Sequence, residues 1–189
     1  MFETLFDHIN RFVKLNEVER QILGDHLSLQ HIGKKEYLFS EGDVCTANYF
    51  ILQGCLRMYF IKDTGQEQIV QFGLDNWWIT DYTSLESHQP SGYFIQAVEN
   101  SEVAVLTRAN RELVFEQIPQ LERYFRLLLQ RMHAASLMRI QYLFDLSVEE
   151  RYQQFNARFP EFVQRVPQYM LASYLGFTPE VLSKIRRTK

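Results

Sequence analysis

Apolar positions recur with changing period along this chain, and the changes divide it. Across residues 1–28, Leu5, Ile9, Phe12 and Val13 share one helical face. Asn16 then stands three residues before Glu19, the spacing in which each side chain caps the other's backbone, and Ile22, Leu23 and Leu27 follow. Two short helices are predicted. From about Glu36 to Arg108 the helical period gives way to short runs of Tyr, Phe, Ile and Val, punctuated by Glu41-Gly42-Asp43, Gly54, Asp63-Thr64-Gly65 and Glu99-Asn100. About eight short strands fit, two of them joined at Gly54 and a hairpin turning at residues 63–65 into 67–72. So many strands in so few residues suit an antiparallel roll or small barrel, which closes most of its own edges.

After Pro119 the pattern is helical again. Leu121, Phe125, Leu128, Met132 and Ala135 follow a 4-3-4-3 spacing, a stripe suited to pairing with a second copy of the chain. The same stripe also suits a helix lying on its own β domain. Leu127, Leu137, Ile140 and Phe144 form a second apolar face, so both contacts are expected. Ser147 with Glu150 forms a further capping box, opening a helix to about Phe159, and Pro160 and Pro167 bracket a connector.

Residues 168–187 read as two helices around a tight turn. Leu171 and Leu175 lie one turn apart, Ala172 allows a close helix crossing, and Gly176 supplies a left-handed turn residue. Thr178 caps the second helix, Pro179 takes its first position and Glu180 its first turn, while Leu182 and Ile185 point inward. Thr178, Glu180, Ser183, Lys184 and Arg187 are left on the outer face, the one a recognition helix places in a major groove. Lys184 suits guanine O6/N7 and Glu180 suits cytosine N4. Gln168, Tyr169, Thr178, Pro179, Ser183, Arg186, Arg187 and Lys189 complete the candidate DNA surface, with Gln168, Thr178, Arg186, Arg187 and Lys189 suited to phosphates. A helical hairpin with a solvated basic face is the plainer alternative.

Charge sharpens this reading. The chain's net charge is −3, yet residues 165–189 hold five basic side chains against Glu180 alone, giving +4 and leaving −7 on the remaining 164 residues. The apolar content of 46% suits a folded chain of one or two small domains. No signal-peptide pattern or long apolar run appears, so a cytoplasmic protein without membrane contact is expected. Cys45 and Cys55 are too few for a disulfide framework or a four-thiolate site within one chain. The five histidines are scattered, and neither a nucleophile elbow nor a phosphate-binding loop is present, so no catalytic residue, metal or cofactor is expected and the chain does not read as an enzyme.

The order of parts resembles the bacterial cyclic-AMP receptor/fumarate-nitrate regulator family, known as Crp/Fnr. The resemblance is carried by Phe39-Ser40-Glu41-Gly42-Asp43, residues 49–54 ending in Gly54, the hairpin at Gly65, residues 97–106, the long helix and the C-terminal helix-turn-helix. It implies an α+β fold: a double-stranded β-helix, jelly-roll-like and of cyclic-nucleotide-binding type (1–115), a long dimerisation helix (116–144) and a helix-turn-helix domain (145–189). It also implies a homodimeric transcription regulator that binds double-stranded DNA. The family's phosphate cassette carries a Gly-Glu pair and an Arg-Ser pair, where this chain has Ile79-Thr80 and Ser91-Gly92. Ala134 and Ala135 replace hydroxyls that face adenine in cyclic-AMP-responsive members. A cyclic nucleotide would thus lack its charge-assisted partners, and an effector, where one exists, is expected to be another small molecule. Thr80, Asp81, Tyr82 and Ser91 are its polar candidates, and Trp77, Trp78, Tyr93 and Phe94 either line the same pocket or form collapsed core. The usual β-hairpin wing is expected to be missing, since the sequence given stops just after the recognition helix. The rival to DNA binding is a ligand-binding or protein-interaction β-roll that has lost it.

Overall fold

The Asn16 capping box forms as its spacing requires. Asn16 Oδ1 accepts from Glu19 N at 2.9 Å and Glu19 Oε2 accepts from Asn16 N at 2.8 Å. In this computed structural model, which describes residues 1–187, it separates α1 (Glu3–Asn10) from α2 (Glu17–Asp25). Eight strands follow: β1 (Ser28–Ile32), β2 (Tyr37–Phe39), β3 (Ala47–Gln53), β4 (Cys55–Ile61), β5 (Glu67–Leu74), β6 (Trp78–Ile79), β7 (Phe94–Ala97) and β8 (Ser101–Thr107). They form two four-stranded sheets, ordered β1-β8-β3-β6 and β2-β7-β4-β5. Antiparallel ladders pair strands distant in sequence, with Gln30 opposite Val103, Tyr49 opposite Val105 and Arg57 opposite Gln96. This interleaving is the antiparallel roll expected from the strand count and the double-stranded β-helix that the resemblance implies, although β1 begins earlier than the β texture suggests.

Glycine is required at the β3–β4 joint. Gly54 has φ 120°, and a β-carbon there would lie 2.7 Å from Ser101 Cα, which a main-chain atom cannot relieve by rotation. The helices are α3 (Tyr82–Ser87), α4 (Arg108–Gln117), α5 (Gln120–Asp145), α6 (Val148–Arg158), α7 (Pro160–Arg165), α8 (Gln168–Leu175) and α9 (Pro179–Arg187). Three of these depart from the sequence reading. α3 interrupts a stretch read as strands and turns, Asp81 capping it by accepting from Thr83 N and Ser84 N. Thr107 accepts from Asn110 N and starts α4 as a separate helix, and Pro160 opens α7 where a connector was expected, proline being well suited to a first helical position.

The chain divides into two compact units. The first contains residues 1–60 and 71–129, the second residues 61–70 and those from 130 onward. In the first, α1, α2, α4 and the opening turns of α5 bury their apolar faces with Phe50, Trp78, Ala104 and Leu106 of the first sheet. This corrects the pairing stripe. Leu121 and Phe125 are core residues, Phe125 lying 5.2 Å from the Trp78 ring and 5.4 Å from Phe115, so neither is left for a second chain. Leu128 packs partly against the same cluster, Met132 is half-buried and Ala135 is exposed. The periodicity shows that one face is apolar; it does not show which apolar surface meets it. A polar chain crosses this core, with Trp78 Nε1 donating to Tyr124 Oη at 2.7 Å and that hydroxyl 2.8 Å from His8 Nδ1. Burial raises the Tyr124 pKa, so the hydroxyl stays protonated at neutral pH.

Candidate nucleic-acid interface

The second unit is built around its last two helices. Ser147 and Glu150 cap α6, with Ser147 N donating to Glu150 Oε2 at 2.9 Å, and these bonds hold the Glu150 carboxyl below its ordinary pKa. Tyr152, Phe162, Val163, Val166, Met170, Leu171, Ala172 and Leu175 are buried and support α8. At its end Gly176 adopts φ 81°, and Phe177 N and Gly176 N donate to carbonyls of the last turn, closing α8 before the chain reverses. Thr178 Oγ1 accepts from Val181 N at 3.5 Å and Thr178 O from Leu182 N at 3.1 Å, starting α9 one residue before Pro179.

On α9 the apolar and polar positions separate cleanly. Leu182 and Ile185 are buried, while Pro179, Glu180, Ser183, Lys184, Arg186 and Arg187 are exposed. Pro179, Glu180, Ser183, Lys184 and Arg187 line an open concavity of about 550 Å³. The Glu180 carboxyl lies below its ordinary pKa because its own backbone N–H and the Thr178 hydroxyl donate to it, so it is an anionic acceptor at neutral pH. Gln168 and Tyr169, at the start of α8, are exposed, as is Thr178. Lys189 lies outside the described residues.

Sequence reasoning missed Arg151. Its Nη1 donates to Leu175 O at 2.8 Å and its Nη2 to Leu146 O at 3.4 Å, tying the end of α8 to the end of α5. A lone arginine in a polar stretch of α6 carries no spacing signal for this role, because the carbonyls it meets are defined only once the turn at Gly176 exists.

The four polar pocket candidates lie in the first unit, and three of them, Thr80, Asp81 and Ser91, are engaged with one another or with nearby groups. Asp81 caps α3 by accepting from Thr83 N and Ser84 N, and its other oxygen accepts from Ser91 Oγ at 2.7 Å. Thr80 Oγ1 donates to Ile79 O and accepts from Asn48 Nδ2. The Tyr82 hydroxyl is buried, and burial pushes its pKa up to about 12. A cavity of about 260 Å³ in this unit is lined instead by Cys45, Thr46, Leu85, His88, Thr107, Arg108 and Ala109. Of the aromatic candidates, Trp78 is buried and Phe94 stacks on Tyr59 at 5.0 Å, whereas Trp77 is half-exposed.

Comparison with known proteins agrees with this architecture. Residues 29–117 match the cyclic nucleotide-binding domain family. The chain is 27% identical over 168 residues to the anaerobic regulatory protein of Aggregatibacter actinomycetemcomitans, covering 82% of this chain and 63% of that protein. It is likewise 27% identical over 165 residues to the transcriptional activator protein anr of Pseudomonas aeruginosa, covering 80% and 66%. The chain thus spans slightly less than two thirds of the length of these relatives. The structure of FixK2 from Bradyrhizobium japonicum superposes with a TM-score of 0.74 at 18% identity, covering 86% of this chain and 83% of that one. No helix among the described residues is long and apolar enough to cross a membrane. Residues 29–117 thus match a cyclic nucleotide-binding domain, and over most of its length the chain is similar in sequence to proteins named as regulators and in fold to FixK2.

Proposed function

We propose that this chain is a DNA-binding transcription regulator that acts as a homodimer in the cytoplasm, with α9 entering the major groove. The observation that carries the reading is the division of α9: Leu182 and Ile185 hold it down while Glu180, Ser183, Lys184 and Arg187 stand outward on one face. A recognition helix needs that division, because its inner face must fix its angle while its outer face reaches base edges. Lys184 and Glu180 suit base edges, whereas Thr178, Arg186, Arg187 and Gln168 suit phosphates, which set register without reading sequence. The relatives named as regulators and as a transcriptional activator support the same reading.

Pairing of two chains is assigned to the outer part of α5. Leu129, Leu137, Ile140 and Phe144 recur there at helical spacing and are exposed, Phe144 to 87%. Apolar side chains on one face of a long helix are stabilised by a partner helix, at roughly 25 cal/mol for each Å² removed from water. A two-fold dimer would place its recognition helices on half-sites about 34 Å apart.

The β-roll is not expected to hold a cyclic nucleotide through the family's charged pair. Ser91 is bonded to the buried Asp81 carboxylate, so a phosphate brought to Ser91 would meet a like charge in a site of low solvent access.

The test is binding to duplexes selected from genomic fragments, followed by fluorescence anisotropy across a range of salt. Affinity is expected to fall steeply with salt. Lys184→Ala should relax discrimination at one position of each half-site by about 1–3 kcal/mol, and Arg187→Ala should weaken all sequences alike and reduce the salt slope by about one. Wild-type behaviour of both variants would show that α9 faces another way. Absence of any salt-dependent binding by the unaltered chain would leave the protein-interaction reading.

A further inference from the structure

Strand β5 is the end strand of its sheet, so one side of it lacks a neighbouring strand. In the second unit that side is not bare. Ile69 N donates to Ser173 Oγ at 2.9 Å, and the same hydroxyl donates to Glu67 O at 3.0 Å. One serine on α8 therefore occupies the donor and acceptor positions that a further strand would fill. Gln68 Nε2 donates to Ser173 O at 2.5 Å. Arg139 on α5 completes the cluster, donating to Val70 O, to Ile69 O at 3.5 Å and to Tyr174 O at 2.9 Å, with its guanidinium 4.1 Å from the centre of the Tyr174 ring. The hairpin tip, residues 61–70, is thus fastened to the first helix of the helix-turn-helix largely through main-chain groups.

We propose that this tip is an arm that latches onto α8 at Ser173 and Arg139, holds the helix-turn-helix ready for DNA, and lowers DNA affinity when it opens. The inference rests on the DNA-binding reading above. Two features distinguish a latch from plain packing. First, the Arg139 contacts are carbonyls and a ring, with no carboxylate among them, and burial lowers its pKa. Opening returns that cation to water, which recovers the cost of burying it and offsets part of the loss of the hydrogen bonds. Second, the arm touches α8 and leaves Glu180, Ser183, Lys184 and Arg187 exposed, so the closed state is free to bind. If only the closed fraction binds, the apparent dissociation constant rises as that fraction falls.

The test uses Ser173→Ala in the full chain, with two readouts: hydrogen exchange at the Ile69 amide, and affinity for a selected duplex. Exchange at Ile69 is expected to accelerate and the dissociation constant to rise about tenfold. Ser136→Ala, which removes a hydroxyl bonded only within α5 to Met132 O, should change neither. Where Ser173→Ala loses helical circular dichroism, Arg139→Gln is read in the same two ways. Faster exchange with unchanged or tighter DNA binding overturns the latch while leaving DNA binding intact, as does an Ile69 amide already unprotected in the unaltered chain. Failure of the unaltered chain to bind DNA overturns the DNA-binding reading itself, and the arm's role with it.

Discussion

Replacing Gly176 by alanine superposes two costs that a second glycine allows to be separated. Gly176 sits at φ 81°, where a β-carbon is disfavoured by about 1–2 kcal/mol. That carbon would also lie 3.1 Å from Leu143 Cδ2 and 3.2 Å from Arg151 Nη1, so the guanidinium must shift from its 2.8 Å bond to Leu175 O. Disturbing that bond adds about 1 kcal/mol, for a total of about 2–3 kcal/mol. Gly65, in the hairpin tip of the same unit, has φ 79° and nothing within 4 Å of where its β-carbon would be. Gly65→Ala therefore carries the backbone cost alone. Thermal denaturation followed by helical circular dichroism compares the two, with each kcal/mol corresponding to roughly 4–8 °C in melting temperature for a unit of this size. Equal losses from the two substitutions would refute the role given to Arg151 and Leu143. No loss from either would refute the backbone argument as well.

Phe125→Ala should destabilise the first unit by about 3–5 kcal/mol in denaturation, since the ring is buried among Trp78, Tyr124 and Phe115. Phe144→Ala should leave that stability unchanged and weaken self-association about tenfold in sedimentation velocity, because its ring is exposed within the chain. Glu150 should titrate below an ordinary glutamate by carboxyl NMR. Its folded pKa is depressed, so the stability it contributes is present above its unfolded value of about 4.3 and is lost as pH falls through the folded value; Glu150→Gln should flatten that acid limb.

The helix-turn-helix was legible because its constraints are local. Gly176, Thr178, Pro179 and the spacing of Leu171, Leu175, Leu182 and Ile185 each act within one or two turns, and the structure buries those four and exposes the candidate DNA-contacting side chains. The capping boxes at Asn16 and Ser147 and the strand-and-turn texture of the roll were readable for the same reason.

Sequence alone determined the succession of helical, strand-rich and again helical regions, the amphipathic faces and the basic end of an acidic chain, because period, capping and charge are properties of neighbouring residues. Tertiary structure decided which apolar face meets which surface. Leu121 and Phe125 fit a pairing stripe by spacing, yet the ring cluster around Trp78 takes them, and the exposed stripe begins only at Leu129. It also decided the tasks of Arg139, Arg151 and Ser173. These side chains bond to main-chain groups whose directions exist only after folding, and main-chain groups are the same in every sequence.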